Sequence, residues 1–147
     1  LDKKLFGIFP HQILKKTSPL FRGFNDEFLA PHSRATDVNV SDVAAVPELE
    51  IMSLTKEGSL AIAKTKDSRQ FFVTCHAEYD ANTLALEYNR DMEKCLTSVD
   101  LPINYFPDDD PTKAPVVTWR STGQLLYSNW LNFYVYQSTP YDIKDIK

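Results

Sequence analysis

Residues 71–80 read F-F-V-T-C-H-A-E-Y-D and set an imidazole, His76, two positions before a carboxylate, Glu78. Phe71, Phe72, Val73 and Thr74 are β-formers, and a helix-patterned stretch begins after Asp80, a residue suited to an N-cap. If strand geometry runs on to Glu78, the two side chains point to one side with Cα atoms about 6.5–7 Å apart. That arrangement suits an imidazole base held by a carboxylate, and in open α/β sheets chemistry collects just beyond the carboxyl ends of strands. The competing account is ordinary polar surface at a strand end. His76, Glu78 and Asp80 alternate like a ligand set, but no further His or Cys stands at recognisable ligand spacing, and no metal is expected. The P-C-x-x-C that would make H-x-E a zinc-deaminase site is absent.

Three strand candidates lead into His76: residues 49–54, 59–65 and 69–75, separated by the turn-prone Lys56-Glu57-Gly58 and Lys66-Asp67-Ser68. Connections this short imply antiparallel hairpins. Upstream, residues 4–9 read as a buried strand closed by Pro10-His11, and residues 18–31 as a loop anchored by Phe21, Phe24, Phe28 and Leu29. Ala30-Pro31-His32-Ser33-Arg34 gathers imidazole, hydroxyl and guanidinium, and by pattern alone is a capped surface turn. Residues 36–40 alternate like a strand, and 42–46 fit a short helix or turn before Pro47.

The helices come late. Residues 83–96 place Leu84, Tyr88, Met92 and Cys95 along one side, with Glu87 and Arg90 spaced to pair on the helix surface. Residues 119–137 carry Leu126, Trp130, Phe133, Tyr134 and Gln137 on a broad face that must be covered by the domain's own sheet or by another subunit. Between them, Asp108-Asp109-Asp110 lies among prolines and reads as a solvated loop rather than a cation site. The sum is one α/β domain over residues 1–147, with a mixed sheet and helices supplied late.

A chain of 147 residues, 43% of them apolar, is long enough for one domain with a real core and short for two. The net charge of −4 leaves no basic stripe to neutralise phosphates, which sets nucleic acid aside as a partner. Cys75 and Cys95 make no disulfide framework, and neither a signal peptide nor a membrane-length apolar run appears, so the cytoplasm is the simplest expectation and no membrane contact is expected. Leu1 leads straight into K-L-F-G-I-F without a methionine, as if the chain began inside a larger protein.

Several long motifs then stand together: F-R-G-F-N-D-E-F-L-A-P-H-S-R, F-V-T-C-H-A-E-Y-D, E-Y-N-R-D, N-Y-F-P-D-D-D-P, T-W-R-S and L-L-Y-S-N-W-L-N-F-Y-V-Y-Q before T-P-Y-D. In order and content they resemble the carboxy-terminal half of the homoserine O-acyltransferases usually called homoserine O-succinyltransferase, over nearly the whole chain. The resemblance implies part of a three-layer fold like class I glutamine amidotransferases, flavodoxin-like in topology. It also implies a two-step acyl transfer in methionine biosynthesis, in which a cysteine thiolate takes the acyl group from acetyl-CoA or succinyl-CoA and the hydroxyl of homoserine attacks the thioester. On this reading His76 matches the general base and Glu78 its carboxylate partner. Arg90 matches a substrate-binding arginine, and Lys4 and Ser33 fall on positions that contact substrate.

The resemblance also implies that the nucleophilic cysteine lies in a preceding half that is not in this chain, that no cofactor is needed beyond acyl-CoA as co-substrate, and that the full-length protein is a homodimer. Cys75 stands where the family more often has glycine and points away from His76 on an extended strand, and Cys95 falls on the apolar side of its helix, so both are expected to pack rather than react. Alone, the fragment is expected to be inactive. Three alternatives stay open: serine as acceptor in cysteine biosynthesis, a hydrolytic amidotransferase, and a non-catalytic binding or assembly domain.

Overall fold

The computed structural model describes residues 3–94, 99–139, 142 and 144. Its frame is a five-stranded sheet of β1 (Leu5–Ile13), β2 (Glu27–Arg34), β3 (Leu49–Thr55), β4 (Leu60–Thr65) and β5 (Phe71–Val73), in the order β2-β1-β3-β4-β5. β1 is buried on both faces. Its even positions Phe6 and Ile8 enter a core with Leu84, Tyr105, Phe106 and Trp119, while Ile13 enters a second core with Phe21, Phe28, Met52, Cys75 and Leu126. A third, smaller core beneath α1 (Val40–Ala44) holds Val43, Leu60 and Ala63.

Among the described residues the expected mixed sheet is not seen. All four ladders are antiparallel, and the parallel contact among the described residues is an isolated bridge between Gly7 and Ile103. The reason lies in the connections. A parallel neighbour needs a crossover of a dozen or more residues, whereas β3 and β4 are joined by a tight turn in which Gly58 adopts φ +92°, and β4 and β5 by one in which Ser68 adopts φ +60°. Ile103 reaches β1 only after α2 (Thr83–Glu93) has intervened.

Pro10, expected to close a strand, and Pro31, expected in a loop and surface turn, both sit inside strands. Ile8 N donates to Ile103 O and Lys56 N donates to Pro10 O, so the even positions of β1 turn their backbone groups to that side; Pro10 offers an acceptor there, in the gap before the β3 ladder starts at His11. Pro31 lies in β2, an edge strand, and its carbonyl faces outward to accept from His76 N at 2.8 Å. A missing N–H costs nothing at an edge. The segment expected to be a loop and a surface turn is therefore β2, and the strand expected at residues 36–40 is irregular chain leading into α1.

The sheet curls until its two edges nearly meet. Thr74 N donates to Ala61 O of β4, and two residues later His76 N donates to Pro31 O of β2, so three consecutive residues span from β4 to the opposite edge strand. Past this bridge the chain turns, with Tyr79 N donating to His76 O at 3.1 Å, and enters α2 at Asn82 rather than at Asp80. α2 buries only Leu84 fully; Met92, expected on its apolar side, is exposed, and Cys95 lies outside the described residues.

The long helix expected over residues 119–137 is α3 (Arg120–Trp130), followed by a π-helical turn over Leu131–Val135 and a last helical stretch at Tyr136–Ser138. Its inner face packs on the domain itself: Leu126 joins the core, and Tyr134 meets the Phe71 ring at 4.8 Å and Ser18 Oγ at 3.0 Å. Asp108 to Asp110 form an exposed turn in which Lys113 pairs with Asp108 at 2.6 Å. No described helix is long and apolar enough to cross a membrane.

Candidate active site

His76 follows β5 by three residues, and its backbone is tied to the outer edge of β2. The strand has already ended, so His76 and Glu78 meet across a turn and not along one face of an extended chain. His76 Nδ1 lies 2.8 Å from Glu78 Oε1, and Tyr127 of α3 donates to Glu78 Oε2 at 3.3 Å. With Nδ1 engaged by the carboxylate, Nε2 is the ring nitrogen left to take or give a proton. The imidazole is partly open to solvent, with 36% of its side-chain surface exposed, so it is accessible to a reacting group.

The approach of α3 is set by a glycine. A Cβ on Gly123 would lie 2.5 Å from Ala77 O, so only glycine lets the helix come this close to the turn between His76 and Glu78. Trp119, almost fully buried, donates from Nε1 to Tyr79 O at 2.9 Å and pins the same turn from the other core.

Lys4, Ser33 and Arg90 are linked to the same turn through two carboxylates of α2, Glu87 and Asp91. Glu87 Oε2 accepts from Ser33 Oγ and lies 3.5 Å from Lys4 Nζ, while Glu87 Oε1 accepts from Tyr79 OH at 3.0 Å. Lys4 also reaches Asp91 at 3.8 Å and sits 4.0 Å over the Phe6 ring. Arg90 pairs with Asp91 rather than with Glu87: Nη2 and Nε stand 2.7 and 2.8 Å from Asp91 Oδ1. That guanidinium holds the Asp91 carboxyl below its ordinary value. About half of the Arg90 side-chain surface, 53%, stays exposed beside this pair.

The circuit closes through Tyr79, whose ring stacks on the His76 imidazole at 4.4 Å between centroids and 16° between planes. The five residues singled out in the sequence therefore form one connected group. Tyr79, Glu87, Asp91 and Tyr127 complete it. Tyr79 and Glu87 lie inside motifs noted above, yet Glu87 meets Ser33 of β2 and Lys4 just before β1, far away along the chain, so spacing carried no signal of its role.

Cys75, by contrast, is sealed in the core at 3% exposure, and burial pushes its thiol up to about 12. It is no thiolate at neutral pH and faces away from the site. Among the described residues no group of three or more His, Cys, Asp or Glu side chains is arranged to hold a metal ion.

A family profile described as homoserine O-succinyltransferase matches residues 1–141. The chain belongs to the homoserine O-succinyltransferase family. Among curated relatives of this family member, a homoserine O-acetyltransferase of Acetivibrio thermocellus is 54% identical over 147 residues, covering 100% of this chain and 48% of the relative. Homoserine O-acetyltransferases of Brevibacillus brevis and Bacteroides fragilis are 52% and 50% identical over the same span, again 48% of their length. The chain thus spans about half the length of the curated relatives it matches. Among solved structures, the crystal structure of SMU.1228c superposes with a TM-score of 0.58 at 17% identity, over 86% of this chain and 51% of that one. At that identity the likeness concerns the fold alone.

Proposed function

We propose that the full-length protein carrying this chain transfers an acyl group from acyl-CoA to the hydroxyl of homoserine in methionine biosynthesis, and that this chain contributes the base and the substrate grip. The observation that carries the reading is the His76 Nδ1–Glu78 contact at 2.8 Å, set on the same side-chain network as Lys4, Ser33 and Arg90. His76 Nε2 takes the proton of a cysteine thiol outside this chain; the thiolate attacks the acyl-CoA carbonyl and free CoA leaves with a proton. The homoserine hydroxyl then gives its proton to His76 as its oxygen attacks the thioester, and the cysteine leaves as the thiol. Glu78 holds the imidazole in the tautomer that exposes Nε2, and Arg90 takes the amino acid's carboxylate. The curled sheet would be one part of a three-layer, class I glutamine amidotransferase-like fold completed by the rest of the protein.

The relatives' acetyltransferase names favour acetyl-CoA over succinyl-CoA as donor. The test is acyl transfer by the full-length protein, with either donor offered against homoserine and against serine. O-Acetylhomoserine as the main product supports the reading; glutamine hydrolysis without CoA release, or no transfer from either donor, overturns it.

A further inference from the structure

Tyr79 is joined to the base at one end and to the substrate grip at the other. Its ring lies nearly parallel to His76, 4.4 Å away, and its hydroxyl donates to the carboxylate oxygen Glu87 Oε1 at 3.0 Å. The second oxygen of that carboxylate receives Ser33 and faces Lys4. Tyr79's own backbone is clamped, its N–H on His76 O and its carbonyl under Trp119 Nε1.

We infer that Tyr79 is a positioning residue that fixes the plane of the His76 ring and keeps it in register with the side chains that bind the acceptor. The inference rests on the function proposed above. The physical need is plain. A hydrogen bond at Nδ1 sets the direction of the imidazole but leaves rotation about that bond open, and rotation swings the lone pair of Nε2 away from the proton it must take. A stacked ring closes that freedom. Productive geometry demands orientation within about 10–20°, and small misplacements cost up to about 10²-fold in rate. Burial, aided by the Glu87 hydrogen bond, pushes the Tyr79 phenol up to about 12, so it remains a donor throughout the neutral range.

The two halves of the residue can be removed separately. Tyr79→Leu deletes the stack and the hydroxyl; Tyr79→Phe keeps the stack and deletes the link to Glu87. In the full-length protein, Tyr79→Leu is expected to lower kcat about tenfold or more, whereas Tyr79→Phe acts mainly by raising the KM for homoserine about 3–10-fold. The His76 ring-proton NMR resonances provide a readout independent of turnover. Loss of the ring current moves them downfield in Tyr79→Leu, and they stay near their wild-type positions in Tyr79→Phe. Wild-type resonances and wild-type kcat in Tyr79→Leu overturn the inference, as does an equal fall in kcat for both variants. If the wild-type protein transfers no acyl group, the functional reading fails by itself, and the resonances still decide whether Tyr79 holds the ring.

Discussion

At the scale of single residues, the molecule contains a second pair of histidines with chemistry opposite to that of His76. His11 and His32 are both fully buried, their Nε2 atoms 2.8 Å apart, and neither Nδ1 finds a partner in ordinary hydrogen-bond geometry. Burial lowers His11 to about 4, partly offset by nearby carbonyls of Phe28 and Phe9, and lowers His32 to about 3. The folded state therefore holds both rings neutral, while an unfolded chain protonates them near the ordinary value of 6.5. Their contribution to stability is complete above about pH 6.5 and is lost as pH falls toward 4 and 3, at up to about 1.4 kcal/mol per pH unit for each ring. Urea unfolding between pH 7.5 and 4.5 should show the midpoint falling with pH, and His11→Phe should flatten that slope; a slope unchanged by the substitution would remove these rings as its cause. In the sequence, His11 is a strand terminator and His32 part of a surface turn. Both readings fail because Pro10 and Pro31 stand where their missing N–H groups are not needed.

At the scale of elements, the turn from His76 to Tyr79 has its geometry imposed by three neighbours. The β2 edge holds its start, Trp119 holds its end, and α3 presses on its middle through Gly123. Gly123→Ala would put a methyl group 2.5 Å from Ala77 O, and either the helix or the turn must retreat. The expected cost is about 1–3 kcal/mol of stability, read by thermal denaturation, with a fall in acyl transfer of up to about 10²-fold as His76 and Glu78 shift. Unchanged activity with lowered stability would show that the helix, not the turn, gives way. The hairpins β3–β4 and β4–β5 are legible in the sequence because turn residues and alternation lie within a few positions of each other. The grip is not. Ser33 and Glu87 meet across 54 positions, and nothing local marks the helix face that receives a serine from a strand edge.

At the scale of the whole molecule, the chain spans about half the length of its curated relatives, and the proposed reaction needs a nucleophile from outside it. His76, Glu78, Lys4, Ser33 and Arg90 lie in one network, while the described cysteine, Cys75, is buried, its thiol pushed up to about 12. Among the described residues, exposed apolar groups include Phe72 and Val73 of the edge strand β5 and Trp130 and Tyr136. Family membership was legible in long contiguous motifs, whereas the sense of the sheet depended on contacts between segments far apart in the chain. The measurement that bears most directly on this division of labour is acyl transfer to homoserine by the full-length protein and its His76→Ala variant, with the acylated cysteine located by peptide mass mapping. The account predicts a loss of about 10²–10⁴-fold in the variant, and a wild-type adduct on a cysteine outside residues 1–147. Transfer that survives His76→Ala, or an adduct on Cys75, would contradict it.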